Sequence, residues 1–423
     1  MLAALAVAAV LTVIYVFGRL VYDGFQLAAS RRRDKGDTDL PPLWRDVQGI
    51  GIAAQIIFLI GLIVLIRYLW GNFTARVDSV GQDLSFDFLD QPSGITIADN
   101  PLNPNNPVSD AIVAGFGNTI RVILLGIPLA LILGTLVGIA RLSTNWLLRK
   151  LATGYVEFLR NIPVLVVIVF VWSGFLNGLP RSQEALKPLG GWFILSNNRF
   201  AFPSIKGDGN VGTYQLILLA ALVVAAAVWW WRTRVFDSTG QPHRRVLWSV
   251  GTFLLIAVVA YFALDGPVAT SKPMLDDRGR VFSDGIRMVM PFAALVTALV
   301  LYTGTHISEI VRGSIQAVHQ GQVEAGNALA LSAFQRYRFV VLPQAMRIAF
   351  PPLINQFLNF TKNSSLAIAI GYPEGTSVIN NLFGQSQPSS QLILILMLFY
   401  LTFSLIISAI GNLINRRLQI VGR

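Results

Sequence analysis

Cysteine is absent from the 423 residues, which excludes disulfides, thiolate metal centres and cysteine nucleophiles. Histidine is nearly absent too: His243, His306 and His319 stand far apart, too scattered for a histidine-rich metal site. Charge is scarce. Only 13% of residues are Asp, Glu, Lys or Arg, where a water-soluble domain carries about a quarter. No Gly-x4-Gly-Lys-Ser/Thr phosphate loop occurs, so any ATP would be consumed by a separate chain. Apolar residues fill the sequence instead, at 54% of the total, with a mean hydropathy of +0.59. The solvent for most of this chain is lipid.

The net charge of +11 does not indicate nucleic acid. The basic residues are not gathered on one polar domain. They sit mostly in short connections between apolar runs, as the positive-inside rule produces. A spanning helix needs about 20 mainly apolar residues, and nine runs qualify: near 2–22, 50–70, 112–140, 155–178, 213–231, 246–264, 288–310, 346–371 and 391–415. Polar residues in or near the first turns weaken the fourth and eighth. If the first run is removed or peripheral, eight remain. That run lacks a preceding basic residue and makes a poor secretory signal. Arg31, Arg32, Arg33 and Lys35 follow it, which places the N-terminus outside. Alternation then puts Arg232, Arg234, Arg244 and Arg245 inside, with the C-terminal Arg416, Arg417 and Arg423. The loop at 71–109 holds Asp78, Asp83, Asp87, Asp90 and Asp99 against Arg76 and reads as external. The aromatics of 179–212 (Trp192, Phe193, Phe200, Phe202) form either an interfacial belt or a docking surface for an external partner.

One internal loop departs from everything else. It runs Glu324-Ala325-Gly326-Asn327-Ala328-Leu329-Ala330-Leu331, then Ser332-Ala333-Phe334-Gln335, and closes on Val340-Val341-Leu342-Pro343. The pattern predicts two short helices. Gly326 and Ala330, four apart, and Ala325 and Ala328, three apart, give a slim face that another protein can approach. Ser332 with Gln335 makes a capping box that starts the second helix, and Pro343 marks its end. The alternative is a polar elbow lying flat on the membrane surface.

This stretch resembles the EAA loop of bacterial ABC importer permeases: Glu-Ala-Ala, three residues, Gly, nine residues, Ile-x-Leu-Pro. Every spacing holds, with Gly326 for the second Ala, Ala330 for the Gly and Val340 for the Ile. Ala for Gly is expected to stiffen the turn without abolishing the helix. The resemblance extends to Tyr155-Val156-Glu157-Phe158-Leu159-Arg160-Asn161-Ile162-Pro163, Glu309-Ile310-Val311-Arg312-Gly313, Lys362-Asn363-Ser364-Ser365-Leu366 and Gly371-Tyr372-Pro373. It covers roughly 110–420 and is similar to the larger permease subunits of general L-amino-acid importers. It implies an all-α polytopic protein with a type I importer core in its C-terminal part, in the bacterial inner membrane. Residues 1–109 would be a two-span extension and 110–423 the permease core, with an insertion at about 179–287 and a coupling loop at about 315–343. The implied partners are an ABC ATPase that holds ATP and Mg, a second homologous permease and an extracytoplasmic amino-acid-binding protein. This chain itself holds no cofactor, and Glu324, Ala325, Gly326, Ala330 and Leu331 would transmit the ATPase's motion.

Within lipid a charge is costly, so intramembrane polar groups face a cavity or a partner. Asn118, Thr119 and Arg121 lie within one turn of the third run, and Arg can hold an amino acid's carboxylate by two bonds. The alternative is that Arg121 pairs with an acid or snorkels. Lys362, Asn363, Ser364 and Ser365 either line the path or bond between helices. Glu157 and Arg160, three apart, form an ion pair or, with Asn161, a cytoplasmic gate. Glu309 and Arg312 make a local pair bracing the loop. Gly126, Ala130, Gly134 and Gly138 recur every four residues and predict tight helix packing, with the second permease as one neighbour they could serve. Two rival functions remain open at this stage. A secondary transporter would need intramembrane acids, of which Glu157 is the best and sits at a span edge. A non-transporting scaffold would tolerate loss of the intramembrane polar groups.

Overall fold

The computed structural model describes residues 47–80, 85–97, 102–207, 209–239, 244–276, 282–385 and 387–418. The expected span at 2–22 and the basic run Arg31 to Lys35 lie outside the described residues. The chain forms two units, 1–85 and 86–423. The first contributes helix α1 (Val47–Val80), with Ile57, Phe58, Val64 and Trp70 all exposed. A helix apolar on every side belongs in lipid.

The second unit opens with a short loop and then α2 (Val108–Ala140). Helix α3 (Trp146–Arg160) follows, started by Asn145, whose side chain accepts from the Leu148 N–H. Pro163 has no N–H to continue it, so α4 (Val164–Val169) leaves at 108° and runs on through a wide turn at Phe170–Leu176. The insertion comes next, with β1 (Ile194–Leu195), β2 (Arg199–Phe202), β3 (Ser204–Gly207), α5 (Val211–Thr239), α6 (Arg245–Ala263), β4 (Val268–Ser271), β5 (Met274–Leu275), β6 (Phe282–Ser283) and β7 (Ile286–Val289). Then come α7 (Met290–Gln316), α8 (Gln320–Ala328) and α9 (Ala333–Arg336), the last wound through Tyr337–Val341 into α10 (Leu342–Asn363). A 3-10 turn, Ser364–Ile370, stops at Gly371, where φ is +69°. Helices α11 (Gly375–Gly384) and α12 (Ser389–Leu418) complete the chain.

Among the described residues six helices are long and apolar enough to cross a membrane, or seven if the bent α3–α4 pair is one span. The expected count of about nine is therefore not reached within them. The run expected at 155–178 takes in only the end of α3, the bend and α4 with its wide turn, and the bent pair begins earlier, at Trp146. The run at 346–371 is α10, which continues unbroken through Pro351 and Pro352, with its 3-10 extension; it is too polar to be one of the six. The chain is mostly helical, and the insertion adds a little sheet. There β2 pairs antiparallel with β7 (Arg199 opposite Val289), β1 lies on the far side of β2, and β3 pairs with β4. These ladders satisfy the backbone of two long connections that hydropathy reads only as loops.

The main core packs α2, α4, α7 and α10 around Val122, Ile168, Leu295, Leu299, Ile307 and Phe360. The stripe on α2 makes this possible. A Cβ on Gly134 would stand 2.8 Å from the Gly304 carbonyl oxygen and 2.6 Å from Ile307; on Gly138, 2.9 Å from the Ser308 carbonyl oxygen; on Gly126, 2.1 Å from Phe360 Cζ. The neighbours of this stripe are thus α7 and α10 of the same chain, not a second permease. A second cluster joins Phe88, Ile95 and Ile97, ahead of α2, to Val378 and Leu382 of α11.

Candidate functional site

The loop after α7 folds as a rigid elbow. His319 caps α8 by accepting from the Gly321 N–H at 3.1 Å. The capping box at Ser332 forms as its spacing predicts: the Gln335 N–H donates to Ser332 Oγ, and the Ser332 N–H to Gln335 Oε1. Val318, Val341 and Ala345 bury together beneath it, with Ile315 and Val323 alongside. Arg336 reaches back from α9 to donate to Asn327 Oδ1, and Gln344 bonds Gln322. Gly326 is buried because the Arg336 stem crosses it, and a Cβ there would meet Arg336 Cγ at 3.2 Å.

Two expectations are corrected here. Ala330 does not extend the slim helix face. Helix α8 ends at Ala328, and Ala330 turns the chain with φ +54°, in the left-handed region. The family's glycine suits that conformation because it has no Cβ to clash. Nor does Pro343 end the second helix. It lies inside the helix, just past the wide turn Tyr337–Val341 that carries α9 into α10, and the helix continues to Asn363.

What the elbow shows outward is Glu324 and Ala325 beside Leu329, 75% exposed, and Phe334, 69% exposed. Leu331 is half-buried. These apolar side chains stand exposed outside the helices that are apolar enough to cross a membrane.

Above the elbow a single carboxylate gathers three guanidinium groups. Glu309 on α7 meets Arg141, just past α2, at 2.8 Å, Arg312 at 2.9 Å and Arg160, at the end of α3, at 3.4 Å. Arg141 is almost wholly buried, and Arg160 is half exposed. The expected Glu157–Arg160 pair is replaced by this hub. Asn161 donates instead to the Glu157 carbonyl, 2.7 Å away. Sequence reasoning found the Glu309–Arg312 pair but not Arg141, whose position after the third run carries no local signal. Tyr155 ties α3 to α7 by donating to the Leu301 carbonyl at 2.7 Å.

At the opposite end of α2, the path candidates divide. Asn118 is buried and donates to the Pro373 carbonyl at 2.9 Å, and Arg121, on an exposed face, donates to Asn118 Oδ1 at 3.2 Å. Thr119 is fully buried, accepts from the Gly375 N–H at 3.0 Å and lies 3.3 Å from Glu374 Oε2. Lys362 is exposed and Asn363 half-buried. Ser364 and Ser365 direct their hydroxyls to the Thr361 and Lys362 carbonyls within their own helix. The structure thus brings Asn118 and Thr119 onto the Gly371–Gly375 turn. Glu374, which sequence reasoning passed over, is the centre of that contact. It caps α11 by accepting from the Ser377 N–H at 2.9 Å, accepts from the Tyr400 hydroxyl at 3.1 Å, and has no exposed surface. Burial pushes its carboxyl above the usual range, against the hydrogen bonds that pull it down. No local signal marked it, since Glu is not among the residues favoured at a helix start.

Among the described residues, six or seven helices long and apolar enough to cross a membrane define a polytopic membrane protein. Residues 232–420 match the family described as binding-protein-dependent transport system inner membrane component. The General L-amino acid transport system permease protein AapQ of Rhizobium johnstonii is 36% identical over 378 residues, 86% of this chain and 92% of that protein. The Glutamate/glutamine/aspartate/asparagine transport system permease protein BztB of Rhodobacter capsulatus is 35% identical over 413 residues, 88% of this chain and 94% of that protein. A solved amino acid ABC transporter crystallised with histidines overlays 73% of this chain and 94% of its own at 17% identity and a TM-score of 0.43. The chain belongs to the amino-acid ABC transporter permease family, and is a multi-pass inner-membrane subunit. These relatives lend no support to a lone secondary transporter or a scaffold.

Proposed function

We propose that this chain forms half of the translocation path of an ATP-driven L-amino-acid importer, and that the α8–α9 elbow seats in a separate ATPase. The observation that carries the reading is the elbow itself, with Glu324, Ala325, Leu329 and Phe334 outward on a scaffold fixed by the capping box, the Arg336–Asn327 bond and the Val318–Val341–Ala345 cluster. The ATPase holds ATP and Mg; this chain supplies the moving wall. Core residues 110–423 carry transport, and 1–109 precede them as an extension whose last part, from Phe86, packs on α11. A second homologous permease completes the path, and an extracytoplasmic binding protein delivers substrate. The N-terminus lies outside and the C-terminus inside. The relatives' names point to a broad L-amino-acid range that includes acidic residues and their amides.

In this reading Arg121 takes the substrate carboxylate, with Asn118 holding the guanidinium in place and Thr119 fixing α2 against the Glu374 turn. Lys362, Asn363, Ser364 and Ser365 border the same path. Arg160, with Glu157 and Asn161, gates the inner end, and its longer, exposed contact to Glu309 is the one that can open and reclose. Motion of the elbow reaches that contact directly, since α8 hangs from the helix that carries Glu309.

The test is Glu324→Lys in the assembled transporter reconstituted with its binding protein. Uptake should fall at least tenfold while the complex still hydrolyses ATP. Normal uptake with normal ATPase attachment would remove Glu324 from the coupling surface.

A further inference from the structure

The α5–α6 hairpin stands away from the transport core. Only 6% and 11% of its two spans is buried, and Leu219, Val223, Leu255 and Val258 are exposed along it. At one end the β3–β4 ladder clamps the hairpin, and β2–β7 leads from the same layer into α7. Both α5 and α7 then cross the bilayer. The far end of the hairpin therefore lies at the interface where α7 delivers the α8–α9 elbow.

That far end is unlike the rest of the hairpin. Four of the nine tryptophans, Trp229, Trp230, Trp231 and Trp248, meet there. Each has an arginine over its ring: Arg234 lies 3.8 Å from the Trp230 centroid, Arg245 4.7 Å from Trp229, and Arg232 5.6 Å from Trp248 and 5.8 Å from Trp231. Arg244 is held beside them at the start of α6, exposed and in the left-handed region at φ +38°. Among the described residues no ion pair reaches Arg234, Arg244 or Arg245.

Stacking on an indole face leaves the guanidinium edge free to donate two parallel bonds, the geometry that fits a phosphate. Indole rings settle at headgroup depth. Clustered cations at that depth attract anionic lipid. We propose that the elbow-side end of the α5–α6 hairpin is a binding site for anionic phospholipid headgroups, built from Arg234, Arg244 and Arg245 on a tryptophan floor. The apolar hairpin walls receive the acyl chains, and the tie through β2–β7 to α7 places the bound lipid on the same frame as the transport core.

The experiment is native mass spectrometry of the purified transporter complex, titrated with phosphatidylglycerol and, separately, phosphatidylcholine. The wild type should retain phosphatidylglycerol preferentially. Arg234→Gln/Arg244→Gln/Arg245→Gln should lose that preference by roughly tenfold. The corresponding triple Lys variant, which keeps the charge but not the planar fork, should fall between the two. Wild-type retention in the Gln variant would overturn the site, as would a Lys variant equal to wild type, which would assign the preference to net charge. Loss of a protein subunit with lipid retention unchanged would make the surface a protein contact. If the Gln variant fails to assemble, the wild type decides. In phosphatidylcholine vesicles containing brominated phosphatidylglycerol, tryptophan quenching should exceed that with the same fraction of brominated phosphatidylcholine, and equal quenching would overturn the proposal.

Discussion

Ala330 carries a backbone conformation that L-residues adopt at a cost of roughly 1–2 kcal/mol, in a turn whose spacing otherwise follows a family pattern with glycine there. Replacing it should relieve that cost, less the extra freedom glycine has in the unfolded chain. Ala330→Gly is expected to stabilise the elbow by about 1 kcal/mol, seen as slower amide exchange in α8 and α9, with uptake retained. The α2 stripe gives the opposite sign. A Cβ at Gly134 meets a backbone oxygen at 2.8 Å, which cannot swing away as a side chain can. Gly134→Ala should therefore cost about 1–3 kcal/mol in thermal unfolding of the detergent-solubilised protein. Gly117, with nothing within 4 Å of its Cβ position, is the internal control: Gly117→Ala should be neutral or slightly stabilising.

At the scale of elements, Glu309 joins the ends of α2 and α3 to α7. The three contacts are not equal, because Arg141 is buried and Arg160 is half exposed to solvent and screening. Glu309→Gln leaves the Arg141 charge buried without a counter-ion, at an expected cost of roughly 3 kcal/mol. Arg160→Gln removes only an exposed, longer pair and should cost less than about 1 kcal/mol in stability. Thermal melts of the two variants test this ordering. If Arg160 is the gate contact, its variant should nevertheless raise ATP hydrolysis in the absence of substrate, a readout a purely structural tie would leave unmoved.

On the scale of the whole molecule, the described helices leave much apolar surface uncovered: Leu124, Ile132 and Leu136 on α2, Val166 and Phe170 beside a cavity of about 350 Å³ at the α3–α4 bend, and Met397 and Leu401 on α12. Part of that surface belongs to lipid and, in the proposed assembly, part to a second permease. Gentle purification from native membranes should bring down an ABC ATPase and a homologous permease, identified by mass spectrometry. The chain alone in liposomes should not transport, with or without an ion gradient.

The sequence by itself determined the lipid environment, six of the spans and the elbow, because hydropathy, helix period and capping are local properties written in neighbouring residues. It pointed to Asn118, Thr119 and Arg121 through their spacing on one turn, and to Glu309 with Arg312 for the same reason. Only the tertiary structure decided that Glu309 also holds Arg141 and Arg160, and that Thr119 and Tyr400 both meet Glu374. Those partners lie between 26 and 255 residues apart along the chain, so no periodicity links them. It also decided that Ala330 is a left-handed turn residue and not a helical one, since φ at one position follows from where α8 and α9 must both pack. Short-range order follows from the chain's own chemistry; the choice of partner for a buried charge follows from which helix ends the packed core brings together.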